Sequence, residues 1–327
     1  MNNHNKGIYA ALASSFFLGL APIFGRQAIL LGLQPLAVVA LRTTLAALLL
    51  LFVIVIFQRK HLYIYPTGLI GCLLAGGING FGSLLFYGSL ARIDASIGQM
   101  LNSTYPLFVA LWMALDHQKP SRLTVFRLSL SLLAIYLLTQ SRVNQVNLIG
   151  MGMMLGAAVL YALHLPINQR VLYDMPAPTV TLYTLGAMSA IVIPAFFMFG
   201  NSSLFNTTLA VQIDGNAWWP VIGLTLVTFL SRITLFMGVK NLGGLQTAII
   251  GLAELLVTIS IATIWLGEHL SLQQWFGAIL LLSCVLLLGF EKTPEHHQSN
   301  RGIFRWLRPP SEKIEYIHIP VPPKNQN

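Results

Sequence analysis

One acidic residue lies near the middle of an apolar stretch, where an ionised carboxylate is costly. The stretch from Leu242 to Leu266 reads LGGLQTAIIGLAELLVTISIATIWL and contains Glu254. It is long enough to form one membrane-spanning helix. An unpartnered charge at the centre of such a helix costs roughly 2.5 to 3.5 kcal/mol. Either Glu254 serves a solute or proton inside a helix bundle, or it only ties two helices together.

Two arginines and one histidine in other apolar stretches could act together with this acid. Arg42 and Arg232 lie well inside their stretches. Either arginine could pair with Glu254 and cancel much of its burial cost. Alternatively, an arginine binds a substrate carboxylate while Glu254 binds an ammonium group or a coupling proton. His164 is a candidate proton carrier because imidazole titrates near physiological pH; the alternative is a histidine hydrogen-bonded between helices.

Neutral polar residues recur at helical spacing in two further stretches. Asn79 begins a stripe that continues four and eight residues later, and Gln99 and Asn102 share one helix face. Pro106 follows on that face and is expected to kink its helix, because proline removes a backbone hydrogen bond. We expect these faces to line a cavity together with Glu254. Hydrogen bonding between helices without a cavity is the alternative.

The elements that must position these residues are membrane helices. The chain has 327 residues, of which 55% are hydrophobic and 9% charged, whereas a typical soluble domain is about 25% charged. Polar breaks divide it into ten apolar windows, each of about the length that crosses a bilayer. The fold class is therefore an all-α integral membrane protein with about ten spans, at residues 8–30, 36–57, 67–90, 95–115, 121–140, 147–169, 177–200, 217–239, 243–266 and 270–290.

The basic residues indicate how the chain is oriented. With the N-terminus inside, most Lys and Arg residues fall on the cytoplasmic side, and only Arg26, Arg92 and Arg142 lie near the outer side. This asymmetry predicts that both termini are cytoplasmic. The net charge of +9 therefore reports topology in a cytoplasmic membrane, and no nucleic-acid partner is expected.

Short matches between the two halves predict a duplication. Five spans per half mean that the second half enters the membrane from the opposite face, which gives two inverted five-helix repeats, typical of secondary transporters. We expect the first repeat at residues 1–145, the second at 146–290, and a basic, partly disordered cytoplasmic tail at 291–327. The matches are Phe86-Tyr87-Gly88 with Phe236-Met237-Gly238, and Pro22 with Arg26 against Pro166 with Arg170.

Motifs for other chemistries are missing from the sequence. It contains no G-x-x-x-x-G-K-[ST] run for a nucleotide and no H-E-x-x-H spacing for a metal. We therefore expect no cofactor, no metal site, no ATP drive by this chain and no enzyme activity.

Several motifs resemble EamA-type permeases of the drug/metabolite transporter superfamily over about residues 7–290. The most specific is the run Leu266-Gly-Glu-His-Leu270, followed by Gln273 and Gly277; Arg42 is similar to an arginine often found in the second span of this family. The first half departs from the pattern, with Lys119 where a Gly-Glu pair is common, and leucine follows Glu254 where a proline is common. The resemblance implies a carrier, often an exporter of amino acids or related metabolites.

These observations lead to one functional expectation and one alternative. We expect a secondary transporter that moves a small organic solute, such as an amino acid or related metabolite, by alternating access. Its partners are the solute and the lipid bilayer, and the sequence leaves a homodimer open. The alternative is a non-transporting structural or sensory membrane protein whose output is the basic tail. The expected pathway residues are Glu254, Arg42, Asn79, Gln99, Asn102, Arg232 and His164.

Overall fold

The computed structural model describes residues 3–115, 122–139, 147–172, 175–200, 215–266 and 272–286. Within these ranges it contains helices and no strand. Lys119 and the tail at 291–327 lie outside the described residues. The helices are α1 (Asn3–Leu30), α2 (Pro35–Phe57), α3 (Pro66–Leu90), α4 (Ala95–Asn102), α5 (Tyr105–Leu115), α6 (Arg122–Thr139), α7 (Leu148–Leu172), α8 (Ala177–Phe199), α9 (Trp218–Leu242), α10 (Gly244–Gly251), α11 (Ala253–Leu266) and α12 (Leu272–Leu286), with short 3₁₀ helices at Arg59–Leu62 and Gly215–Ala217.

These helices account for the ten predicted windows. Seven segments are long and apolar enough to cross a membrane, namely α1, α2, α3, α7, α8, α9 and α10 taken together with α11. The other three windows correspond to α4 with α5, to α6 and to α12. The prediction of an all-α membrane protein with about ten spans is confirmed.

The fourth and ninth spans are each broken near their middle. Pro106 is the second residue of α5, so the predicted distortion lies where proline removes a helical bond. The span predicted from Leu242 to Leu266 is present, but it consists of two helices, because α10 ends at Gly251 and α11 begins at Ala253. No proline causes this second break. Instead the Leu255 N–H donates to the Leu252 carbonyl at 3.1 Å, a bond that spans three residues instead of four.

Helices from both halves combine into two bundles. In what we call the first bundle, α1 packs along α9 and α11, and α2 packs along α9. The second bundle repeats this arrangement with the corresponding helices, since α7 packs along α3 and α5, and α8 along α3. In addition, α4 contacts α11 and α5 contacts α10. The two broken spans therefore run antiparallel, as inverted repeats require, and the bundles meet around them.

Two glycines let helix backbones approach closely within these bundles. A Cβ atom on Gly19 would lie 2.6 Å from the Glu254 carbonyl oxygen, so α1 fits tightly against the start of α11. A Cβ atom on Gly76 would lie 2.5 Å from the Thr184 carbonyl oxygen, where α3 meets α8. Small residues serve this purpose in membrane bundles, where burial of apolar surface gives little drive for association. The backbone around Glu254 is thus held in place by packing.

Candidate functional site

A cavity lies between the two bundles, next to the breaks in the fourth and ninth spans. Six of the seven candidate residues line it, and His164 does not. The six are Arg42, Asn79, Gln99, Asn102, Arg232 and Glu254.

The two bundles supply different chemistry to this cavity. The first bundle contributes all the charged lining residues, namely Arg42 from α2, Arg232 from α9 and Glu254 from α11. The second bundle contributes the neutral polar groups of α3 and the rings of Tyr87 and Tyr161, and α4 adds the amides of Gln99 and Asn102. Any movement of one bundle against the other would therefore change which polar groups face the charges.

Arg42 reaches from the first bundle to the second through neutral partners. Its Nη2 donates to Ser83 Oγ at 3.1 Å, and its Nη1 lies 3.4 Å from Thr228 Oγ1. The guanidinium carbon lies 4.6 Å from the centre of the Tyr87 ring, a cation–π contact. Only 6% of the residue is exposed. Its Nε atom has no hydrogen-bond partner within the described ranges, so one donor remains available.

Arg232 lies one helical turn beyond Thr228 on α9 and contacts Asn79 of the opposite bundle. With the Asn79 amide oxygen turned toward the guanidinium, Nη2 and Nη1 donate to it at 3.1 and 3.2 Å. The guanidinium carbon lies 5.8 Å from the centre of the Tyr161 ring. The residue is 5% exposed. Arg232, like Arg42, is thus held by neutral groups.

Glu254 lies in the first turn of α11, where the amino end of the helix dipole favours a negative charge. It is 3% exposed. In the described part of the chain, Glu254 forms no ion pair with Arg42 or Arg232, and its Oε1 atom has no hydrogen-bond partner. The interpretation in which an arginine ties this acid into the fold is therefore not what the structure shows. The carboxylate faces the cavity.

Two polar residues of α4 complete this side of the cavity. Gln99 approaches Glu254 closely enough for a side-chain hydrogen bond to the carboxylate. Asn102 is the last residue of α4 and is 8% exposed. Both come from the half of the broken fourth span that contacts α11. The cavity is therefore lined by buried hydrogen-bond donors and acceptors as well as by charges.

His164 lies behind the cavity wall, on the side of the cavity where α5 and α10 meet. Its Nδ1 contacts the Tyr161 carbonyl oxygen, and its ring packs against those of Tyr161 and Phe236. It is completely buried. Nearby, the Tyr105 hydroxyl donates to the Ala248 carbonyl at 3.0 Å and joins the two broken spans.

The sequence-based candidates omitted, among others, one residue of the cavity lining and one residue that supports Arg42 from behind. Tyr161 lines the cavity three residues before His164 on α7, and Thr228 supports Arg42 from the turn before Arg232 on α9. Tyr161 lies three residues before His164 and Thr228 four residues before Arg232, so the helical period would have pointed to both positions. No group of three or more potential metal ligands occurs within the residues that the structure describes.

Three comparisons relate the chain to known proteins. A family model described as EamA-like transporter family matches residues 5–140 and 148–290. The chain is 24% identical over 199 residues to Uncharacterized transporter YcbK from Bacillus subtilis (strain 168), which covers 59% of this chain and 63% of that relative. It thus spans less than two thirds of that protein. A structure described as "Crystal structure of protein" has a TM-score of 0.71 at 14% identity, covering 88% of this chain and 97% of that chain, and shows a shared fold.

Proposed function

Because the chain belongs to the EamA-like transporter family, we propose that it is a secondary transporter that moves a small organic solute across the cytoplasmic membrane by alternating access. We propose an amino acid or a related metabolite as the solute. Family membership favours a transporter over an enzyme. The rival proposal of a sensory protein depends on the tail at 291–327, which lies outside the described residues.

The observation that carries this proposal is a cavity whose buried acid and arginines form no direct ion pair in the described structure. Arg42, Arg232 and Glu254 are all buried and line the same cavity, while no ion pair joins the acid to either arginine in the described structure. Charges inside a membrane domain are expensive and mark substrate or ion pathways. A purely structural role would be served better by a direct pair.

The two bundles give alternating access a physical basis. Secondary transporters built from inverted repeats bind solute near the midplane, beside broken helices, and expose the site by moving one unit against another. Here the guanidinium of Arg42 in the first bundle bonds Ser83 in the second, and Arg232 bonds Asn79. We propose that these cross-bundle bonds rearrange as the solute enters and leaves. Either a proton or solute gradient supplies the energy, or the protein is a uniporter driven by the gradient of its own solute.

The orientation of the chain in the membrane and the bounds of its two repeats are part of the same proposal. We place both termini in the cytoplasm, the first repeat at 1–145 and the second at 146–290. The two separate matches to the family model, at 5–140 and 148–290, support this division. The excess of basic residues on the proposed inner side supports the orientation.

Counterflow in proteoliposomes tests the proposal. Vesicles preloaded with an unlabelled amino acid, nucleoside or cationic drug receive the same solute in labelled form, with and without a pH gradient. A carrier accumulates label transiently for its own solute, because the excess of unlabelled solute inside occupies the sites that would otherwise carry the label out. Glu254→Gln is expected to reduce this accumulation. Folded protein that gives no accumulation above empty vesicles with any of these solutes would contradict a carrier.

A further inference from the structure

Two guanidinium groups lie close together in the cavity, and both are held by neutral groups. Arg42 contacts Thr228 on α9, and Arg232 projects from the next turn of that helix. Their other partners are Ser83 and Asn79, which occupy successive turns of α3. In the described part of the chain, no carboxylate pairs with either arginine. The two buried positive charges repel each other. An anion that contacts both guanidinium groups would lower this electrostatic repulsion.

The available donors and acceptors define what such a ligand must carry. Arg42 Nε is a buried donor without a partner among the described residues. The Gln99 amide approaches the buried Glu254 carboxylate closely enough for a hydrogen bond. Arg42 and Arg232 belong to α2 and α9, and Glu254 and Gln99 belong to α11 and α4. The cavity therefore offers two guanidinium groups that attract anionic groups and one carboxylate that attracts a cationic group.

The charge balance selects between classes of solute. With Glu254 ionised, two guanidinium groups and one carboxylate give the cavity a formal charge of +1. A neutral zwitterion leaves one guanidinium without a counter-charge, and a cation leaves both. A dicarboxylate without an ammonium group satisfies the arginines but leaves Glu254 facing anionic groups. A zwitterion with a second carboxylate has two negative charges and one positive charge, which complements the cavity group by group.

Neutrality of the occupied cavity has its own physical value in a membrane. A net charge in a low-dielectric interior is costly, and moving it through the transmembrane potential adds a further energy for each elementary charge. A solute with net charge −1 cancels the charge of the cavity. The occupied carrier can then change conformation without moving an uncompensated charge through the hydrocarbon layer.

We infer that the cavity selects an amino-acid-type zwitterion with a second carboxylate, held by Arg42 and Arg232 at its anionic groups and by Glu254 at its ammonium group. This inference rests on the proposed transport function and names the substrate class of the same site. The Tyr87 ring, already stacked on Arg42, keeps that guanidinium oriented along the cavity wall. Selection is thus by charge number and placement.

A matched series of solutes tests the inference on the full-length purified protein. Binding is measured by displacement and by thermal shift for L-glutamate, L-aspartate, their amides L-glutamine and L-asparagine, glutarate and L-lysine. The acidic amino acids should bind roughly tenfold or more tightly than their amides, because one charge-assisted contact is lost in the amide. Glutarate, which lacks the ammonium group, should also bind more weakly, and lysine should not compete.

Variants distinguish the contribution of the arginines from that of Glu254. Arg42→Gln should reduce the preference for glutamate over glutamine to about threefold or less, while Arg59→Gln, at the exposed 3₁₀ helix Arg59–Leu62, should leave it unchanged. Glu254→Gln should make glutarate bind as well as glutamate. Comparison of solutes in the wild-type protein keeps the test valid if a variant fails to fold.

The failures of this inference and of the proposed function are distinguishable. Equal binding of glutamine and glutamate, or of glutarate and glutamate, would overturn the charge-matching inference. Carrier-type counterflow of another solute, with no binding of acidic amino acids, would also overturn it while leaving the transport function in place. An absence of counterflow for every solute would overturn both.

Discussion

Replacing Asn79 with aspartate tests whether the charge of Arg232 is kept available for a solute. The Asn79 amide oxygen accepts from both terminal nitrogens of Arg232, at 3.1 and 3.2 Å. Aspartate has nearly the same shape and puts a carboxylate in this position. The variant therefore supplies an internal anion to the guanidinium with little change in packing.

The geometry gives the size of the effect. Charge-assisted hydrogen bonds are roughly twice as strong as neutral ones, and part of that gain is lost to desolvation of the buried carboxylate. We expect a net increase of about 1 to 2 kcal/mol in stability. The same carboxylate competes with the anionic group of a solute, so solute affinity should fall by roughly tenfold or more.

The assay combines thermal unfolding in detergent with counterflow in proteoliposomes. Asn241→Asp is the matched control, since Asn241 lies at the end of α9 and its side chain bonds the Met237 carbonyl at 2.8 Å, away from the cavity. Asn79→Asp should unfold at a higher temperature and lose counterflow, whereas the control should keep its counterflow. If Asn79→Asp transports as well as the wild-type protein, the charge of Arg232 is not used by the solute and our reasoning is wrong.

Two further predictions concern packing around the site. Gly76→Ala should destabilise the protein by about 1 to 3 kcal/mol, because the new methyl group would lie 2.5 Å from the Thr184 carbonyl oxygen. Gly77→Ala should be neutral or stabilise by up to about 1 kcal/mol, since its nearest neighbour would be 4.0 Å away; equal melting temperatures for the two variants would contradict this. Tyr105→Phe should cost about 1 kcal/mol by removing the 3.0 Å bond to Ala248, and an unchanged melting temperature would show that this bond is dispensable.

The sequence predicts the architecture well because membrane helices leave a strong local signal. Apolar windows and their polar breaks depend on the length that a helix needs to cross a bilayer, so the ten windows could be located from composition alone. The break at Pro106 was predictable for the same local reason. The break at Leu252 was not, because it depends on contacts with other helices and no residue there forbids a helix.

The sequence predicts which residues line the site better than it predicts which of them contact each other. Buried charges and polar faces pointed to Arg42, Arg232 and Glu254 because such residues are rare in membrane spans. Which of them touch depends on the bundle arrangement, since the bonds of Arg42 and Arg232 run to α3, far away in sequence. His164 met the same sequence criteria but packs behind the cavity wall.

Counterflow by Arg232→Gln compared with Arg59→Gln tests the central claim most directly. Both variants remove one guanidinium, but Arg232 lines the cavity and Arg59 lies on the exposed 3₁₀ helix Arg59–Leu62. We predict that Arg59→Gln accumulates labelled solute like the wild-type protein and that folded Arg232→Gln accumulates roughly tenfold less or none. Wild-type accumulation by folded Arg232→Gln would contradict the claim that this cavity is the transport site.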